Sequence, residues 1–231
     1  MRLIPMRGGG RVLFCGQGFI QRGIRRKEEA MEARTKRQAG REPGEQLLYH
    51  QDFFRTFREI MKRVSTTRRS MNVLHDITEA VARSMGVKGS ALFLLDRRKG
   101  VLEVVSSYGL SERYLKKGPV LADRSIKEGL EGMSVCVDDV STDPRIQYPQ
   151  EAAREGICSI LSAPMVFKKK VIGVLRVYAS VPTEFSMEDV DFVEGLADLA
   201  ALVIEYNRLV SGAKQSLEAL KKLTGRPARK R

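Results

Sequence analysis

Three cysteines and two histidines are the residues of this 231-residue sequence whose types most directly support catalysis or metal binding. They are Cys15, Cys136, Cys158, His50 and His75. Their spacing matches no zinc site, because such sites need paired cysteine and histidine motifs at short intervals. A Ser-His-Asp or Cys-His centre needs a histidine beside the nucleophile, and none follows His75. The sequence therefore predicts no metal site and no hydrolytic centre.

Arg176 is a charged residue in the middle of the apolar run 171–179. A guanidinium buried there without a partner would cost several kcal/mol, so it needs an anion. That anion is either an internal carboxylate, such as Asp138 or Glu103, or a ligand carboxylate or phosphate held bidentately. Strand alternation places Tyr178 on the same face, where its hydroxyl could meet the same ligand.

The formal net charge of +13 is unevenly distributed along the chain. Residues 1–69 hold 17 Lys and Arg against 7 Asp and Glu, and residues 212–231 hold 7 against 1. Residues 70–211 hold 17 against 20 and are mildly acidic. Nucleic acid is therefore expected to bind only non-specifically, through the two basic ends.

Periodic apolar positions divide the sequence into helices and strands. Spacing of three to four residues predicts an N-terminal helix within 45–69 and a second helix that ends at Gly86, since glycine tolerates the left-handed conformation. Five apolar runs between turn-forming residues predict strands at 90–96, 101–107, 133–138, 159–167 and 171–180. The strands are apolar on both faces, so we expect helices or long loops to cover each face.

A long C-terminal helix is predicted after Ser186, an N-cap residue followed by acidic residues in the first turn. Nine apolar positions then alternate at steps of four and three: Phe192, Leu196, Leu199, Val203, Tyr206, Val210, Ala213, Leu217 and Leu220. This heptad pattern is longer than the face of a domain of ordinary size. The C-terminal half of the helix is therefore expected to pack against a second chain, which predicts a homodimer.

Short motifs in a fixed order resemble the GAF domain family. They are Ser-Tyr-Gly-Leu at 107–110, Val-Asp-Asp-Val at 137–140 with Asp-Pro-Arg at 143–145, Gly-Ile-Cys-Ser-Ile-Leu-Ser-Ala-Pro-Met at 156–165, Val-Ile-Gly-Val-Leu-Arg-Val-Tyr-Ala at 171–179 and Phe-Ser-Met-Glu-Asp-Val at 185–190. The resemblance implies a PAS-like GAF fold of the α+β class. This fold has an antiparallel sheet of five to six strands, helices on both faces, and long N- and C-terminal helices.

The resemblance also implies a small-molecule pocket on one face of the sheet. Family analogy gives these ligand-binding candidates: Arg176, Tyr178, Cys136, Ile146, Cys158 and Ser162. The Asn-Lys-Phe-Asp-Glu motif of cyclic-nucleotide GAF domains is absent, and bilin attachment and haem ligation use a histidine that the region after His75 lacks. The cofactor is therefore unknown, and a small anionic metabolite is the ligand expected at Arg176.

Three classes of function are compatible with these observations. The favoured one is a non-catalytic, cytoplasmic GAF sensor that dimerises through its terminal helices and passes a signal to a partner protein. The second is an enzyme like free methionine-(R)-sulfoxide reductase, whose pocket cysteines cycle through sulfenic acid and disulfide. The Gly-rich, cysteine-containing loop of those enzymes is replaced here by 121–129. The third is a nucleic-acid-associated protein that acts through its basic ends.

The predicted organisation has five segments: a disordered basic extension at 1–44, an N-terminal amphipathic helix at 45–69, a GAF domain at 70–210, a coiled-coil-like helix extension at 211–223 and a basic tail at 224–231. No stretch reaches the 18 or so uncharged apolar residues of a membrane span, so membrane insertion is not expected. The odd cysteine number and the lack of a secretory signal favour a reducing cytoplasm.

Overall fold

The computed structural model of the chain describes residues 43–66, 70–125 and 127–223. The chain divides into two compact units, Met1–Leu47 and Leu48–Arg231, and apart from residues 43–47 the elements below lie in the second. The helices are α1 (Pro43–Thr66), α2 (Ser70–Ser84), α3 (Glu112–Leu115), α4 (Ala122–Ser125), α5 (Lys127–Leu130), α6 (Pro149–Glu155) and α7 (Met187–Leu223). The strands are β1 (Gly89–Asp96), β2 (Val101–Tyr108), β3 (Val120–Leu121), β4 (Val135–Val137), β5 (Ser159–Phe167) and β6 (Lys170–Ala179).

The strands form one antiparallel sheet in the order β3-β2-β1-β6-β5-β4. Both predicted hairpins, β1–β2 and β5–β6, are present, and the central pairing joins β1 to β6. The backbones of these two central strands approach closely at Gly173, where an added Cβ would lie 2.0 Å from the Phe93 carbonyl oxygen. This sheet confirms the predicted GAF-type α+β architecture.

The sheet carries a separate apolar core on each face. The helix-side cluster joins α1, α2 and α7 to residues such as Leu92, Leu161 and Leu175. The loop-side cluster joins Phe93, Val174 and other strand residues to the short helices and loops between β2 and β5. Both faces are therefore covered, as the apolar strands predicted.

The fourth strand is shorter than predicted. It covers Val135–Val137 rather than 133–138, because Met133 and Asp138 are exposed and Gly132 adopts a φ of +86°. The two-residue β3 was not predicted, since a strand of that length leaves no periodic signal.

The long helix α7 begins as the sequence indicated. The Ser186 hydroxyl accepts a hydrogen bond from the Asp189 backbone N–H at 3.2 Å, and the Asp189 carboxylate accepts one from the Ser186 N–H at 2.8 Å. This reciprocal pair is a capping box. The first four positions of the heptad pattern are buried, whereas Tyr206, Leu217 and Leu220 are more than half exposed.

Several predictions concern residues outside the described ranges. The disordered extension, except for Pro43 and Gly44, and the basic tail at 224–231 lie there, as does Cys15. None of the helices in the described part of the chain is long and apolar enough to cross a membrane.

Candidate anion site on the loop side of the sheet

Arg176 lies at the centre of the sheet, on β6 between its two neighbouring strands. It pairs in register with Ala91 of β1 and Ser162 of β5. Only 7% of the arginine is exposed, and its guanidinium carbon lies 5.5 Å from the centroid of the Phe93 ring. Because Phe93 belongs to the loop-side cluster, the guanidinium faces the side of the sheet where the resemblance implied a pocket.

Two tyrosines connect Arg176 to the loops that cover this face. The Tyr178 phenol lies near Arg176, and the positive charge of the arginine opposes the effect of burial on the pKa of the phenol. The Tyr114 ring from α3 meets the Tyr178 ring edge-on, with centroids 5.8 Å apart and an interplanar angle of 85°. Burial raises the pKa of both phenols well above the usual value, so both stay protonated and can donate to an anion at neutral pH.

Lys117 adds a second cation beside this group. Its Nζ donates to the Tyr114 carbonyl oxygen at 3.2 Å and lies 3.8 Å from the centroid of the Tyr114 ring. Burial and, next, the positive charge of Arg176 lower the pKa of Lys117 to about 8, against the opposing effect of Glu151 and Glu155. Both causes disfavour the charged lysine, and a bound anion would offset the one that comes from Arg176.

The internal carboxylates considered for Arg176 lie in exposed positions. Glu103 is exposed on β2 and accepts a hydrogen bond from Lys99 at 2.9 Å. Asp138 is exposed just after β4. Glu155 lies on the same side of the domain but is held by Ser111, whose N–H and hydroxyl donate to it at 2.9 and 2.5 Å.

The remaining predicted site residues divide between the two faces. Ser162 is directly beside Arg176, and Ile146 packs against the loop-side cluster. Cys158 precedes β5, and its Sγ donates to the Ser180 carbonyl oxygen at 3.2 Å. Cys136 packs against the helix-side cluster, so the structure does not bring it together with Arg176. Its strand neighbours Val135 and Val137 face the loop side.

The loop after β4 is held by a charged pair. The Asp143 carboxylate accepts from the Arg145 Nε at 2.9 Å, and Arg145 also donates to the Cys136 carbonyl oxygen at 3.2 Å. The side-chain hydrogen bond from Arg145 lowers the pKa of Asp143. These contacts fix the backbone next to Ile146.

Sequence reasoning missed Lys117 and Tyr114. Both lie in the short segment around α3, which has no periodic apolar pattern. The sequence signal was the pair Lys116–Lys117 following a tyrosine, and this pattern also fits an exposed turn. Among the described residues, no group of three or more His, Cys, Asp or Glu could hold a metal ion.

The fold described above is that of a GAF domain. The family model described as GAF domain matches residues 71–205, more than half of the chain. The chain therefore belongs to the GAF domain family, whose members generally serve sensory or regulatory ligand binding. Comparison with curated proteins gives no match.

Solved structures share this fold at low sequence identity. The GAF domain of a phosphoenolpyruvate-protein phosphotransferase from Coxiella burnetii is 17% identical, with a TM-score of 0.63 over 70% of this chain and 98% of that one. The corresponding Acinetobacter domain is 22% identical, with a TM-score of 0.59 over 69% and 97%. Free methionine-R-sulfoxide reductase from Neisseria meningitidis, solved with its substrate, is 17% identical, with a TM-score of 0.58 over 68% and 91%. At these identities the likeness shows the fold alone.

Proposed function

We propose that this protein is a non-catalytic, cytoplasmic GAF sensor whose loop-side site binds a small anionic metabolite. The observation that carries the proposal is the grouping of Arg176 and Lys117 with the hydroxyls of Tyr114 and Tyr178. All four groups can donate hydrogen bonds to an anion. Attraction between a guanidinium and a carboxylate or phosphate is stronger in such a buried, apolar setting than in water.

Thermal shift measurements test the anion site. Inorganic phosphate and citrate should raise the melting temperature of the wild type above the value in sodium chloride of equal ionic strength. Arg176→Met and Lys117→Met should lose that shift, and Lys116→Met, the exposed neighbour, should keep it. Native mass spectrometry of the gently purified protein adds a search for a retained ligand. Equal shifts in all four proteins would contradict the assignment of Arg176 and Lys117 to the site.

We further propose that the exposed half of α7 pairs with a second copy of the chain. The heptad pattern that is buried up to Val203 continues through Leu217 and Leu220, where both side chains are more than half exposed, so the same helix face is available to a second copy. Coiled-coil pairing of two identical helices would bury these positions. Light scattering should give a dimer for the full chain and a monomer for a truncation after Asn207. A monomeric full chain at micromolar concentration would contradict the proposal.

The placement of the cysteines favours a non-catalytic role over a reductase. Cys136 packs on the helix side, away from the face that carries Arg176, and the Cys158 thiol donates to a backbone carbonyl. The reductase alternative needs thiols that reach substrate and each other. An NADPH-coupled assay with free methionine sulfoxide should show no turnover. Turnover that is lost in Cys136→Ser or Cys158→Ser would establish the enzyme instead.

A further inference from the structure

Seven basic residues gather at one end of the sheet, apart from the loop-side site. Because β1 and β6 are antiparallel neighbours, the β1–β2 turn and the β5–β6 turn lie side by side. The first turn carries Arg97, Arg98 and Lys99, and the second carries Lys168, Lys169 and Lys170. All six are exposed. Arg208 of α7 joins them, lining a cleft of about 300 Å³ with Arg97 and Arg98. We call these seven residues the basic tip.

The basic tip is strongly positive, although residues 70–211 as a whole carry a small net negative charge. Within residues 70–211 it holds seven of the 17 Lys and Arg. Asp96 and Glu103 form ion pairs with Lys99, Glu205 forms one with Arg208, and Glu194 and Asp198 line a cleft with Lys168. Apart from the seven tip residues, this range holds ten basic and 20 acidic side chains. The domain is therefore polarised, with a positive end on an otherwise acidic body.

The turn at Lys168 and Lys169 has an unfavourable local conformation. Both residues have positive φ, +46° and +63°, and they form the two-residue loop between Phe167 and Lys170. Turns of this kind favour Asn-Gly, because other L-residues meet a steric cost of about 1 kcal/mol each in this region. Two lysines are thus held where a less strained pair of neutral residues would fit. Folding alone does not account for this choice of residues.

We propose that the basic tip binds the phosphate backbone of nucleic acid. Four strands at a spacing of about 4.8 Å make the tip about 15 Å wide, which corresponds to about four base-pair steps along the axis of B-form DNA. Arg208 lines one cleft with Arg97, Arg98 and the acidic Asp96, so a phosphate chain that enters the cleft can contact α7 as well as the β1–β2 turn. The turn residues 97–100 and 168–170 also include no apolar side chain to insert into a bilayer.

The double variant Lys168→Asn/Lys169→Gly tests this proposal in the full chain. It removes two charges and relieves the turn, so its melting temperature should rise. Its affinity for a fluorescent 20-base-pair DNA should fall at least about tenfold at 0.1 M salt, and the slope of log K against log salt should decrease by about 1.8, for two lost phosphate contacts. The matched control Arg113→Gln/Lys116→Gln removes two exposed charges near the opposite end of the sheet. It should change the affinity less than threefold.

The outcomes separate the tip from the basic ends of the chain. Equal losses in the two double variants would mean that binding follows net charge alone, and unchanged affinity in both would mean that the basic ends suffice. Either result overturns the proposal. Vesicles containing phosphatidylserine serve as the comparison. If the tip variant loses vesicle binding while DNA binding persists, the partner is a lipid surface and the nucleic-acid proposal is wrong.

Discussion

Replacing Lys117 by Met should stabilise the ligand-free protein at neutral pH. The lysine has a pKa of about 8 in the folded chain, against 10.5 for the reference lysine, chiefly because of burial and next because of Arg176. At 1.36 kcal/mol per unit, this difference corresponds to an upper limit of about 3 kcal/mol against the folded state. Lys117 is partly exposed, so solvent screening reduces the expected gain to about 1–2 kcal/mol.

The sign of the pH dependence distinguishes this electrostatic cost from better apolar packing by Met. Below pH 8 the lysine is charged in both states and the cost is fully present. As the pH rises towards 10.5, the folded state loses its proton first, and the cost disappears. The stability difference between Lys117→Met and the wild type should therefore shrink between pH 7.5 and 9.5. The buried tyrosines are the same in both proteins, so their contribution cancels.

Thermal and urea unfolding at several pH values would measure this effect. At pH 7 the variant should melt about 5 °C higher, since 1 kcal/mol shifts the melting temperature of a protein of this size by about 2–4 °C. Lys116→Met is the control, because that lysine is 76% exposed and pairs with Glu112 on the surface. It should show a difference within about 0.5 kcal/mol and no trend with pH. A Lys117→Met variant less stable than the wild type at pH 7, or a difference that is constant with pH, would refute the reasoning.

Three further predictions concern the scaffold and the segments around it. Gly156→Ala should destabilise the fold by about 1 kcal/mol in urea unfolding, because Gly156 ends α6 at a φ of +71°, and a control Gly195→Ala in a regular helix should not. Asp143→Asn should lower the free energy of unfolding above the normal carboxyl pKa, where the ionised Asp143 stabilises the wild type. The wild type loses this stabilisation as the pH falls through the lowered pKa of Asp143, so the two proteins should become equally stable in acid. Limited proteolysis should leave a resistant fragment near residues 45–223, and cleavage within the sheet at early times would contradict the predicted boundaries.

The regular elements could be predicted because their sequence patterns are long. The two hairpins, the end of α2 before Gly86 and the start of α7 at Ser186 follow from strand length, turn residues and capping chemistry. The helices between β2 and β5 are four to seven residues long, and such pieces are set by tertiary packing rather than by periodicity. Lys117 lies in that region, which is why its place beside Arg176 could not be read from the sequence.

The candidate site was predictable where a residue breaks a pattern and not where it conforms to one. Arg176 interrupts an apolar strand, so it could be singled out by its type and position, and an anionic partner for it remains a prediction. Cys136 lies in a strand whose two faces are both apolar, and alternation cannot tell which face is which when neither is polar. The heptad pattern of α7 likewise gives no sign of where packing within the domain ends. The structure places that change after Ile204, the last buried residue of α7 among those described.

The alternation of β6 joins the anion site to the helices. Arg176 and Tyr178 face the loop side, while Leu175 and Val177, with no exposed surface, pack into the helix-side cluster with α7. An anion that draws the guanidinium towards the loops pulls on the same strand that supports α7, one side-chain layer away. Because packed cores shift between discrete arrangements rather than deforming smoothly, such a displacement would change how α7 meets a second copy of itself.

The coupling requires that the anion raise or lower the dimer affinity, and by linkage that dimerisation change the anion affinity by the same factor. Sedimentation of the full chain with and without citrate should therefore show a shifted dimer constant that Arg176→Met abolishes. An unchanged dimer dissociation constant would mean that anion binding and dimerisation are not coupled.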